Sequence, residues 1–504
     1  MEPGSQHILS SKFGLRSTGL VVFAGRLVSA FTGLLFTVMA ARWLDLSGFG
    51  TWEVIVTMVT FASYPIGMVA YWTTRDIARG RMIGRTALVA GALLSALGLL
   101  IYFGFSFVTY SRIAASVTPL LLGALLVPLS YWNAAASAIV TGYRPSVYGT
   151  SLILSESAKV VVGYEALYVL HMGINGVIVA LLTAYLVQSS VSTFMVRNAT
   201  AEKFDPAEVK RWAKLSWLPA LSYLAPSLAV ADTYGVALLH GTSVVGAYQV
   251  AFIVASIVTY ASGLIFSMYP LLLKGGDILL PAVSLEFSLL FAIPMAVGCA
   301  VISTPILFLF GSKYTLGALG LVILAPMFVF NNISLLLDQT LMGTEKVDAG
   351  QTPTFRKLAG SNLLFVPAAN IGYGIFYLAT LFLALSFAAA SGFSDSADVT
   401  VWALAQLVAT VIFMLVKLRR AKGVAVLRPG VSVLYYIVGA AVMAMVLYFV
   451  SPAIAVQSVG TVIYGARLLV LVLLGAVLYF GVVYALDPKL RELARSVFRR
   501  YGLA

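Results

Sequence analysis

Few side chains in this sequence could do chemistry, and most of those are charges set inside long apolar runs. The three histidines, His7, His171 and His240, are scattered and form no metal motif. Neither a G-x-x-x-x-G-K-[ST] loop nor an H-E-x-x-H helix occurs, so P-loop nucleotide binding and zinc hydrolysis have no residues to work with. What remains is Arg26, the neighbouring Glu156 and Lys159, Asp232 and Asp338. A charge at mid-bilayer costs ~2.5–3.5 kcal/mol on insertion scales, so it faces a bundle interior or water. An arginine there offers a planar fork of donors that matches a phosphate. An embedded carboxylate can balance that charge, or exchange a proton or cation.

The spacing around these residues sharpens the reading. Arg26 lies about a third of the way along the first apolar run. Ser29, Gly33, Thr37 and Ala40 follow on its helical face, a small and polar stripe that can line a wet cavity. The competing reading is close helix packing through small residues, with Arg26 snorkelling inward. Glu156 and Lys159 are adjacent on one face and can pair. Glu165 falls on the opposite face, near the far headgroups. Ser130, Asn133, Ser137 and Thr141 share a face, as do Asn331, Ser334 and Asp338, and Asn370, Tyr373 and Tyr377. Arg26, Lys159, Asn133, Asn331 and Tyr373 are therefore the candidate substrate-binding residues. Glu156, Asp232 and Asp338 are the candidates for coupling or charge balance. Glu286 is expected nearer one membrane face, and Glu53 and Arg467 read as anchors near the other. No metal site or cofactor is expected.

The elements that must position these groups are membrane spans. Of 504 residues, 61% are hydrophobic and 10% charged, against about 25% charged in soluble chains. The apolar runs recur at 20 residues or more, enough to cross a hydrocarbon core of roughly 30 Å. A soluble enzyme, a nucleic-acid-binding domain and a disordered chain are excluded. About fourteen spans are expected, from Thr18–Leu44 to Ile463–Leu486, which makes the fold all-helical and integral to the membrane. The longest runs, Leu280–Phe310 and Leu358–Ala390, are interrupted by prolines.

The net charge of +13 fits this topology. With both termini on the cytoplasmic side of a cell membrane, 26 of the 32 Lys and Arg fall in cytoplasmic segments, three on the opposite side, and three within spans. Orientation accounts for the charge without nucleic acid. The single cysteine, Cys299, lies in an apolar run, so no disulfide framework exists. Met1–Thr18 is polar and has no cleavage site before the first run, so no signal peptide is expected.

The charged stretch Arg197–Leu215 separates six spans from eight. A shift of 196 residues lays Gly50–Val54 over Gly246–Val250, Ser63-Tyr64 over Thr259-Tyr260, and Gly67 over Gly263. Six is even, so the halves enter the membrane in the same sense, a parallel repeat about the membrane normal. The expected organisation is an N-lobe at 1–196, a linker at 197–215, a C-lobe at 216–416, and two extra spans with a basic tail at 417–504.

One motif carries a family likeness. Ala41-Arg42-Trp43-Leu44-Asp45-Leu46-Ser47-Gly48-Phe49-Gly50-Thr51-Trp52 joins an Arg-x-Leu to a Phe-Gly-x-aromatic turn between two long spans. It resembles the start of polysaccharide-biosynthesis flippases of the multidrug/oligosaccharidyl-lipid/polysaccharide (MOP) exporter superfamily. The likeness covers the whole chain in architecture and about the first 80 residues in sequence. It implies two six-helix lobes around a central cavity, two extra C-terminal helices, and alternating access. It also implies movement of a lipid-linked oligosaccharide, carried on a polyprenyl or dolichyl phosphate or diphosphate, from the inner to the outer leaflet.

On this reading the partners are a lipid-linked glycan and the membrane lipids, the chain works as a monomer, and it is not an enzyme. The alternative within the superfamily is a multidrug exporter coupled to H+ or Na+ through Asp232 or Glu156. Arg26 argues against it, because it would repel a cationic drug. A membrane glycosyltransferase would need acidic residues in a sizeable outside loop, and the outside loops here are short.

Overall fold

The computed structural model describes residues 28–29, 31–113, 116–263, 265, 268–269, 272, 279–345, 360–422, 430–455 and 460–492. Among them the chain is helical, with no strand. The helices are α1 (Phe31–Trp43), α2 (Leu46–Ala78), α3 (Gly84–Ile113), α4 (Val117–Tyr143), α5 (Ser146–Tyr164), α6 (Ile174–Met195), α7 (Pro206–Leu215) and α8 (Trp217–His240). There follow α9 (Thr242–Ala255), α10 (Leu280–Val301), α11 (Ser303–Phe310), α12 (Ala318–Gly343), α13 (Asn362–Ala390), α14 (Asp395–Ala421), α15 (Ser432–Ile454) and α16 (Thr461–Leu486).

Eleven of the described helical segments are long and apolar enough to cross a membrane, α9 together with the 3-10 turns that extend it to Ser262 and α12 with those that precede it from Ser312. Three more occupy the remaining expected spans: the short apolar α1, the 24-residue α8, and α5, which carries Glu156 and Lys159 and continues through a π turn to Val169. The long run expected over Leu280–Phe310 is broken at Ile302 into α10 and α11. Helix α14 continues through Ala421, so Lys417 belongs to its last turns. The chain is a multi-pass membrane protein.

Two compact units divide it, Met1–Gly246 and Ala247–Ala504. In the first, α2 packs against α3, α4 and α8, and α6 packs against α4 and α5. Gly50 at the start of α2 meets Gly246 at the start of α9. A Cβ on Gly50 would stand 1.8 Å from the Thr242 carbonyl oxygen, and one on Gly246 would stand 2.2 Å from that of Leu46. Only glycine allows backbones this close. Helix α8 packs on α2, so the first unit runs past the linker and includes it.

In the second unit α12 lies against α14 and α10, α13 against α14, and α15 and α16 pair beside α10. Pro294 interrupts α10 and leaves the Leu290 carbonyl without its helical donor. The buried Tyr479 hydroxyl of α16 donates to that oxygen at 2.8 Å, which a membrane helix requires because no water is there to do it. Phe107, Leu383, Phe449 and Val462 are all at least 73% exposed, a surface suited to lipid chains and not to water.

Candidate functional site

Among the described residues, each unit buries one lysine against a carboxylate. In the first, Glu156 and Lys159 point from the same face of α5, and Lys159 Nζ lies 2.7 Å from Glu156 Oε2. The Thr32 hydroxyl of α1 donates to the same oxygen at 2.9 Å. The ammonium stands 5.4 Å from the centre of the Phe36 ring, a cation–π contact on the apolar side of the pair. Phe36 fits there because Gly163, one turn further along α5, has no side chain; a Cβ would lie 2.6 Å from the ring.

In the second unit Lys417 of α14 reaches between α12 and α13. Its Nζ donates to Ser334 Oγ at 2.8 Å, Asp338 Oδ2 at 2.8 Å and Asn370 Oδ1 at 2.7 Å. The Asn370 amide also donates to Asp338 Oδ2 at 3.3 Å. The Lys417 side chain is 4% exposed and that of Asp338 13%. Asp338 Oδ1 is buried without a hydrogen-bond partner among the described residues.

A third charged cluster fixes the linker. Pro206 begins α7 behind Asp205, whose carboxylate caps the helix through the Ala207 N–H at 2.8 Å. Arg211 binds Asp76 and lies 2.7 Å from Glu208, and Arg81 binds Glu208. Trp212 Nε1 donates to Asp76 at 3.1 Å. The Glu208 hydrogen bond pushes the Arg81 guanidinium above its ordinary pKa, with the Glu208, Asp76 and Asp205 charges adding to it. Arg81 therefore keeps its positive charge in the clamp.

The remaining expected residues fall as follows. Arg26 lies outside the described residues. The Ser130 hydroxyl pairs with Ser63 at 2.6 Å, while nearby Asn133 has a buried Oδ1 with no partner among the described residues. Asn331 is exposed, and its neighbour Asn332 is buried, donating to the Val258 carbonyl at 2.9 Å. Tyr373 is half-buried, stacked near Tyr377 with its hydroxyl 3.5 Å from Thr410 Oγ1. Asp232 is buried and accepts from the N–H and hydroxyl of Thr233. A cavity of about 240 Å³ between α2 and α8 is lined by Tyr64, Pro65, Met68, Ala220, Leu224 and Ser227, with no charged group.

No family model and no curated protein sequence matches the chain. Solved structures do. The lipid II flippase MurJ in an inward closed conformation aligns with a TM-score of 0.68 at 13% identity, over 94% of this chain and 99% of its own. An inward-facing multidrug resistance MATE family transporter of the MOP superfamily aligns at 0.56 and 12% identity, over 79% and 95%. The Vibrio cholerae MATE transporter VcmN in the bent form aligns at 0.50 and 14% identity, over 83% and 100%. The chain shares the fold of these solved structures.

Within that fold the sequence brought out one cluster and three of the four members of the other. Glu156 and Lys159 are legible from their spacing alone. Ser334, Asp338 and Asn370 were singled out as stripes on two separate spans. Lys417 was missed, because a lysine at the basic end of a span reads as orientation charge. Its signal was the Asp395–Ala421 helix length, with acidic residues in the first turn and Arg419 and Arg420 in the last. Those arginines mark the helix end four residues beyond Lys417.

Proposed function

We propose that this protein flips a lipid-linked oligosaccharide from the inner to the outer leaflet by alternating access. The observation that carries the reading is the extent of the fold match. The flippase structure takes in 94% of the chain, the exporters 79–83%. The shortfall with the exporters is of the size of the two extra helices, α15 and α16, with the tail.

Arg26 and Lys159 hold the carrier's phosphate or diphosphate, and Asn133, Asn331 and Tyr373 face sugar hydroxyls. Glu156 already sits on Lys159 at 2.7 Å, so the incoming phosphate competes with a resident carboxylate. That competition gives the site a means of release, since Glu156 can reclaim the lysine when the lipid leaves. Asp232 and Asp338 balance charge. The termini and the basic loops lie in the cytoplasm. The rival reading, a cation-coupled drug exporter, draws on the MATE likeness.

The test is appearance of glycan on the outer surface of cells that depend on this protein. Arg26→Ala should abolish it at normal expression, and Arg26→Lys should keep a fraction, since charge survives without the bidentate geometry. Ser222→Ala, at the position matched to Arg26 by the 196-residue shift, should be tolerated. Full activity in Arg26→Ala would remove the phosphate role. Drug resistance conferred in place of glycan export would favour the exporter.

A further inference from the structure

The second unit's lysine cluster has the form of an occupied cation site. Three oxygens, Ser334 Oγ, Asp338 Oδ2 and Asn370 Oδ1, converge on one nitrogen at 2.7–2.8 Å. They come from two helices, and the nitrogen comes from a third. A lysine ammonium has three donors and no acceptor, so these bonds use all that it has. A fourth oxygen, Asp338 Oδ1, is buried with no partner among the described residues. The ammonium uses the first three oxygens and leaves the fourth over, one acceptor more than its donors can fill. The hydroxyl, amide and carboxylate oxygens are the ligand types that hard cations take. The single negative charge matches a single positive one, and a divalent ion would leave excess charge buried.

We propose that Ser334, Asp338 and Asn370 form a monovalent-cation site whose resident cation is the Lys417 ammonium, tethered to the chain. The protein is therefore indifferent to Na+ and K+, and becomes responsive to them when the ammonium is removed. This goes beyond the flippase reading and does not depend on it, because it concerns what fills the site and not what crosses the membrane.

The experiment is thermal unfolding of the full-length protein in detergent micelles, followed by tryptophan fluorescence in NaCl, KCl or choline chloride at equal ionic strength. The wild type should unfold at the same temperature in all three salts. Lys417→Met, which keeps most of the side-chain volume, should unfold earlier in choline. It should recover by several degrees, saturably, in NaCl or KCl. The double variant Lys417→Met with Asp338→Asn should show no recovery. Two results would overturn the proposal. One is a wild type stabilised saturably by Na+ or K+ with the effect lost in Asp338→Asn. The other is a folded Lys417→Met with one melting temperature in every salt. If Lys417→Met can be purified only in NaCl or KCl, that dependence supports the proposal. If it fails in every salt, Lys417→Gln takes its place, and its indifference to all three salts counts as the overturning result.

Discussion

Lys159 and Glu156 sit three residues apart on one helix, with a ring and one threonine from α1 beside them. Lys417 instead crosses from α14 to a serine and an aspartate on α12 and an asparagine on α13. Both ammonium groups are buried and both face one carboxylate. The difference lies in what each pair holds together. The first is a local pair whose partners stay close whatever the surrounding helices do. The second joins three helices, and its bonds exist only while α12, α13 and α14 keep their present packing. A local pair can exchange partners with an incoming anion at the cost of one ion pair. A three-helix junction cannot open without moving a helix. The contrast suits the first cluster to binding and release, and the second to holding a unit rigid.

The largest effect should come from Lys417→Ala in a medium free of Na+ and K+. It leaves the Asp338 carboxylate buried with no counter-charge and cuts every lysine bond between the three helices. Removing one partner of a buried pair costs about 3–5 kcal/mol. Lys159→Ala should cost about half as much, or ~2 kcal/mol, because no helix–helix hydrogen bond is lost and Thr32 still donates to Glu156. Thermal unfolding in detergent measures both. Equal losses would mean that the two lysines do the same structural work, and the comparison would fail.

Next in size is Glu156→Gln, which separates binding from transport. The amide cannot compete for Lys159 as a carboxylate does. Binding of a short-chain polyprenyl diphosphate should tighten about tenfold, equivalent to ~1.4 kcal/mol, while export slows because release loses its competitor. Asp338→Asn should leave that affinity unchanged, since its lysine is committed elsewhere. Unchanged binding in Glu156→Gln, measured by titration of the purified protein, would show that Lys159 is not a phosphate ligand.

The same two clusters mark how far the sequence could be read. The all-helical membrane fold and the span count follow from apolar length and basic asymmetry, because the bilayer imposes both. Glu156 and Lys159 could be paired because helix geometry alone brings residues three apart together. The other cluster needed tertiary information. Ser334 and Asp338 on one span and Asn370 on another showed polar faces, but nothing in their spacing said that those faces meet. Lys417 carried a stronger competing explanation, since the basic ends of spans are rich in lysine. The meeting of Gly50 and Gly246 was visible only as a repeat match. That the two glycines touch follows from the close approach of the start of α2 to residues 242–246, which no local pattern encodes.

The smallest expected effects come from the two hydroxyls, and they set the finest test of the contrast. Thr32 donates to Glu156 Oε2 at 2.9 Å, but the same oxygen atom of Thr32 lies 2.7 Å from the Val28 carbonyl, four residues back along the chain. The hydroxyl thus has a backbone acceptor whichever way it turns, and Glu156 keeps Lys159. Thr32→Val preserves the side-chain shape and should cost about 0.5 kcal/mol, the low end for a hydrogen bond. Ser334 is in a different position. Its oxygen accepts one of three bonds from an ammonium that is 4% exposed, and no water can replace it. Ser334→Ala leaves one ammonium donor unsatisfied in a buried site, for about 1.5–3 kcal/mol, the range for bonds to charged groups. Thermal unfolding of the two variants side by side gives the comparison directly. A Thr32→Val loss that equals or exceeds the Ser334→Ala loss would mean that the α1–α5 contact is as much a junction as the one around Lys417, and that neither lysine is free to change partners.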